Sequence, residues 1–211
     1  MKELIGFFGH GVFLLSILLF VFQSRRWKQY WPIPYLISAV IIILPIQDWL
    51  LIEFSRGYFS DLSAATILLC LLGVLNHTRP QPIKVGVSFY LFILLLACVL
   101  YPATLGLSMN DPFVLGYATA NYYPVFVVGL VLIAIVAWFK GYNWISLYLV
   151  MCLLAQGFDI YGSGNLWLYL MDPIAVIVSL VALVWITLKA SLQKAKDYYT
   201  NKKVSNVSEH A

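Results

Sequence analysis

The residues best equipped for chemistry fall in one short stretch, Gln47-Asp48-Trp49-Leu50-Leu51-Ile52-Glu53-Phe54-Ser55-Arg56-Gly57-Tyr58-Phe59-Ser60-Asp61. Three carboxylates and one guanidinium sit there among large apolar side chains. A helix over 48–58 would put Glu53 and Arg56 at i,i+3, close enough to pair. The stretch is too apolar to be freely solvated. It reads either as an aromatic-rich belt with a surface ion pair of small energetic weight, or as a pocket. In the pocket reading Arg56 receives an anionic group, and Asp48 or Glu53 orients it.

Further carboxylates stand where helices begin or loops turn. Asp172-Pro173 is a helix start, with a carboxylate cap followed by proline at the first helical position. Asp61, before Leu-Ser-Ala-Ala, is expected to cap in the same way, and Asp111-Pro112 reads as a turn or a short helix start. Asp159 precedes a Gly-Ser-Gly segment flanked by aromatics, whose backbone could approach a ligand closely. The candidate substrate-binding set is therefore Asp48, Glu53, Arg56, Asp61, Asp159 and Asp172. His10, about two turns into the first apolar segment, is a lesser candidate for proton transfer, since ionisable groups within membranes are generally paired or functional.

Several chemistries lack their signatures. Cys70, Cys98 and Cys152 each lie inside an apolar run with no CxxC pair, so neither a disulfide framework nor a metal site is expected. No nucleotide fingerprint, HExxH or GxSxG occurs, and no cofactor is expected. The basic residues are dispersed, which argues against nucleic-acid binding.

The elements that must position these residues are apolar helices. Of 211 residues, 62% are hydrophobic and 10% charged, against roughly 45–50% and about 25% in soluble domains. The expected fold is all-α, a polytopic membrane bundle over 1–190 followed by a basic polar tail over 191–211. Seven apolar segments stand near 4–22, 33–52, 61–76, 85–105, 123–139, 143–158 and 173–189. A spanning helix needs ~20 residues, with a lower limit near 17. The third and sixth are barely long enough, and a six-span arrangement would make one of them interfacial. The first reads as a retained helix, because its main basic run, Arg25-Arg26-Trp27-Lys28, follows the apolar stretch, whereas a signal peptide places it before.

Lys and Arg set the orientation. Arg25, Arg26, Lys28, Arg79, Lys84, Lys140, Lys189, Lys194, Lys196, Lys202 and Lys203 fall in alternate connections and the tail, while Lys2 and Arg56 alone fall on the other side. This places the N-terminus outside and the tail in the cytoplasm. Asp48, Glu53, Asp61, Asp111, Asp159 and Asp172 gather in the outer connections. Acidic residues contribute little to orientation, so this clustering is separate information. The three outer links share Gly, Asn or Ser with aromatics, a soft rhythm that also suits transporters built from repeats. Residue identity between the links is poor, and any seven-helix bundle has three such hairpins.

The expected location is the bacterial inner membrane, with lipids as the immediate partners. Three functions fit. One is a transporter or lipid-handling protein with a polar pocket at the outer face. Another is a membrane-embedded enzyme acting on a lipid-linked substrate, which requires two carboxyls within ~4–6 Å of each other. The last is an accessory subunit of a larger membrane complex.

Overall fold

A computed structural model describes residues 2–22, 30, 32–46 and 49–208. Among these the fold is all-α apart from one two-residue ladder. The helices in chain order are α1 (Lys2–Val21), α2 (Pro32–Ile43), α3 (Leu51–Phe59), α4 (Ala64–Thr78), α5 (Val87–Thr104), α6 (Tyr123–Phe139), α7 (Asn143–Gly157), α8 (Trp167–Leu170) and α9 (Pro173–Ser208). A 3-10 turn at Pro112–Gly116 lies between α5 and α6.

The second apolar segment does not form one helix to residue 52. It stops at Ile43, and the chain then pairs β1 (Pro45–Ile46) antiparallel with β2 (Trp49–Leu50). Pro45 explains the break: it has no N–H to continue the helix, and it pushes the residue before it away from the α region. α3 is thus a separate short helix, with Ser55 buried and Phe54 and Tyr58 exposed. The ends of α6 and α7 follow from local chemistry. At α6 the N–H of Tyr142 reaches Ala137 O at 2.8 Å and that of Gly141 reaches Trp138 O at 3.0 Å, with Gly141 at φ +77°. That left-handed closure favours glycine. α7 closes the same way with Asp159 at φ +48°, where Ile160 N–H reaches Ala155 O; aspartate is among the few other residues that tolerate this region.

α1 packs on α2, α3 and α4, while α5, α6 and α9 gather around or beside α7 and each other. α4 joins the two groups through contacts with α1, α7, α8 and α9. Small and hydroxylic residues are buried, among them Ala65, Ala134, Ala175, Ser38, Ser146 and Ser179. Phe20, Ile43, Leu95, Val136, Val181 and Trp185 stand exposed. Small residues let helix backbones approach closely: a Cβ on Gly73 of α4 would lie 2.7 Å from Ser16 Oγ of α1. Among the described residues, Val87–Thr104 and Trp167–Tyr198 are the two stretches long and apolar enough to cross a membrane. Ile5–Val21, Pro32–Ile43, Ala64–Thr78, Tyr123–Phe139 and Asn143–Gly157 are apolar but shorter.

Three connections meet at one end of the bundle. Trp167 Nε1–H donates to Pro112 O at 2.8 Å and Asn165 Nδ2–H to Phe113 O at 3.0 Å. Tyr117 and Asn165 form a bridge, with Leu166 N–H on Gly116 O at 2.8 Å. Tyr161 O–H reaches Leu62 O at 2.8 Å, which ties in the α3–α4 link. Burial pushes the Tyr161 phenol above its ordinary range, with Asp61 adding to the effect, so it stays protonated as the donor. Gly116 permits the closest of these approaches: a Cβ there would collide with Asn165 Oδ1 and lie 2.6 Å from the Trp167 ring. Gly116→Val is expected to destabilise the protein by about 1–3 kcal/mol through overpacking, read as an earlier loss of the monodisperse peak when detergent-purified protein is heated.

Candidate functional site

Two polar centres occupy the end where the three connections meet. The first is built around Asp172. Its Oδ1 accepts from Ala175 N–H at 2.7 Å, capping α9, and from Thr66 Oγ1–H at 2.6 Å. Its Oδ2 accepts from Ser63 N–H at 2.8 Å. Ser63 in turn caps α4, its Oγ accepting from Thr66 N–H at 3.3 Å. One carboxylate therefore faces the N-termini of both α4 and α9, where backbone N–H groups and the helix dipoles favour negative charge. The sequence placed Asp172 correctly as a cap of the last helix. The α4 cap is Ser63, and Asp61 is released for another task.

The second centre contains that Asp61. Arg56 Nε–H donates to Asp61 Oδ1 at 3.3 Å, and both side chains remain more than a quarter exposed. Arg56 also points an NH1 hydrogen at Glu3 O at 3.5 Å and stacks over the Phe7 ring at 5.1 Å. It lies directly on Gly6, where a Cβ would come within 2.8 Å of the guanidinium carbon. The i,i+3 pairing of Glu53 with Arg56 does not form. Glu53 instead accepts from Leu50 N–H at 2.9 Å at the start of α3, which is the first-turn position where a carboxylate suits a helix.

Beneath Arg56 lies His10, fully buried. Its Nε2 is 2.6 Å from Ser60 O, and its Nδ1 is 3.0 Å from Ser55 Oγ. A carbonyl can only accept, so Nε2 carries a hydrogen. In the neutral ring Nδ1 then accepts from the Ser55 hydroxyl. Ser60 has φ +58° and ψ −162°, a conformation that costs a non-glycine residue about 1–3 kcal/mol. The strained turn aims the Ser60 carbonyl at the histidine. The roles of Ser55, Ser60 and Thr66 carry no local sequence signal, because each depends on a partner from another element; Ser63 three residues before Thr66 is a local cap pattern.

Asp159 occupies the left-handed closure after α7, and Asp48 lies outside the described residues. Glu53, Asp61 and Asp172 each hold a different partner. Among the described residues, no group of three or more His, Cys, Asp or Glu side chains is placed to hold a metal ion. Beside these centres, α1, α4 and α9 border a lateral groove of about 270 Å³, apolar except for Ser16, Thr66, Cys70 and His77. No protein-family profile, curated protein or solved structure matches the chain.

Asp172→Asn keeps one acceptor oxygen but turns an NH₂ toward Ser63 N–H, leaving that donor unpaired. The expected loss is about 1–3 kcal/mol, measured by denaturant titration in mixed micelles. Thr66→Val should cost about 1 kcal/mol, since Oδ1 keeps the Ala175 bond.

Proposed function

We propose that the chain is a multi-pass protein of the bacterial inner membrane, with about seven spanning helices, its N-terminus outside and its basic tail in the cytoplasm. On this reading it is a transporter or a lipid-handling protein whose outer face receives an anionic group. The observation that carries the reading is Arg56: a partly exposed guanidinium held against Asp61 over the aromatic and glycine surface of α1. Asp61 and the Glu3 carbonyl engage two of its donors, and an arginine has five. An exposed ion pair of this kind is worth only ~0–1 kcal/mol, so an incoming phosphate or carboxylate can displace Asp61 at low cost.

Other features support the membrane setting. The outward faces of α2, α5, α6 and α9 are built of Ile, Leu, Val, Phe and Trp, which in water would form an apolar patch far larger than soluble proteins carry. Lys189, Lys194 and Lys196 follow the apolar part of α9 at the end opposite Asp172. α2, α4 and α7, of 12, 15 and 15 residues, run shorter than a full span, and polar residues at their ends together with local bilayer thinning accommodate such lengths. α3, with buried Ser55 and exposed Phe54 and Tyr58, suits a helix lying in the outer interface. The enzyme reading has less behind it, because Glu53, Asp61, Asp111 and Asp172 are each tied to a separate backbone or side-chain partner.

The test is binding of small anions that mimic a lipid headgroup or a solute: glycerol phosphate, inorganic phosphate and sulfate. Purified protein should gain thermal stability as the anion concentration rises. Arg56→Gln should weaken that binding by about 10- to 100-fold, as expected for losing a charged hydrogen-bonded contact, while Asp159→Asn leaves it unchanged. Equal stabilisation of the wild type and Arg56→Gln would remove Arg56 from the site.

A further inference from the structure

We infer that the Arg56 site takes up its anion together with a proton, and that His10 is the group that holds the proton. This rests on the anion-receiving reading of Arg56 and adds a coupling that reading does not require.

The geometry around His10 suits two protonation states. Both ring nitrogens face oxygens that can accept: Ser60 O for Nε2 at 2.6 Å and Ser55 Oγ for Nδ1 at 3.0 Å. In the neutral ring Ser55 donates to Nδ1. When a proton from the aqueous phase adds to Nδ1, the Ser55 hydroxyl rotates and its oxygen accepts, since a hydroxyl serves as donor or acceptor. No covalent bond other than the new N–H is formed, and no hydrogen bond to the ring is lost in either state.

The coupling to Arg56 follows from position. Ser55, which holds His10, is the residue before Arg56. Gly6, on which the guanidinium rests, is four residues before His10 on α1, a rise of about 6 Å. Among the described residues, the charged groups acting on the ring are Asp61 from the α3–α4 turn and Arg56 from α3. On the α4 side, Ile67 lies against α1 at Gly9, one residue from His10; α2, also packed on α1, carries Tyr35 as its titratable side chain. The Arg56–Asp61 pair is nearly neutral as a unit. An anion that displaces Asp61 from Arg56 adds negative charge within about one helical turn of the imidazole. That favours the imidazolium, and by reciprocity the imidazolium favours the anion.

The experiment measures sulfate binding to the purified full-length protein between pH 5 and pH 7.5, because sulfate keeps its charge across that range. The wild type should bind about tenfold more tightly at pH 5, roughly the effect of one unit charge ~10 Å away at an effective dielectric near 20. His10→Gln, whose amide can donate to Ser60 O and accept from Ser55, should bind with no pH dependence. Calorimetry of the wild type in buffers of different ionisation enthalpy should show net proton uptake with sulfate within the same pH range, a readout that does not depend on the variant folding. Binding that is Arg56-dependent but pH-independent, with no proton uptake, would overturn the coupling and leave the anion site standing. PH dependence that persists in His10→Gln would remove His10 as the proton holder. Absence of sulfate binding at every pH would overturn both the coupling and the anion site.

Discussion

The Asp172 carboxylate is the contact on which the rest of the architecture depends. It sits where α4 and α9 begin, caps α9 through Ala175, and holds Ser63 and Thr66 of the α4 start. Two helix N-termini brought side by side would present like partial charges and unpaired N–H groups. A single carboxylate between them resolves both problems. The position of α4 follows, and α4 is the helix that joins α1 to α7, α8 and α9. The link leading into α4 then carries Ser60 and Asp61 to the places where they meet His10 and Arg56.

The bundle depends on a second constraint, the pairing of backbone polar groups where the chain leaves its helices. Where the chain leaves its helices at the acidic end, nearly every turn is tied by an explicit bond. The Gly-Ser-Gly segment is knitted to the 3-10 turn through Asn165, Trp167 and Gly116. Asn76 makes a reciprocal pair with Ile83 at the opposite end, Nδ2 to O at 2.9 Å and N to Oδ1 at 2.7 Å. Buried backbone polar groups outside helices are paired in this way in folded proteins.

What the sequence disclosed and what it concealed divide along the range of the interactions. Local rules placed α6 at 123–139, the start of α7 at residue 143, and the Asp172-Pro173 and Asp111-Pro112 caps, and the structure agrees with each. Pro45 lies within the second apolar segment, which the sequence carried on to residue 52, yet the helix ends at Ile43. The Glu53–Arg56 pair failed because i,i+3 spacing permits a contact without requiring it. Leu50 N–H and Asp61 offered better partners to each. His10 stood out only as an ionisable residue in an apolar run. Its two partners come from residues 45 and 50 positions away, and no short-range pattern encodes them.

The central claim is that the acidic, hydrogen-bonded end of the bundle faces outward across a membrane from the basic end. The most direct test is thiol labelling in intact cells. Single cysteines would be introduced at Ser108 and Ser163 at one end and at Lys84 and Lys140 at the other, in a background lacking Cys70, Cys98 and Cys152. A membrane-impermeant maleimide should modify the first two without lysis and the second two only after lysis. Labelling of both ends in intact cells, or of the basic end alone, would contradict the account.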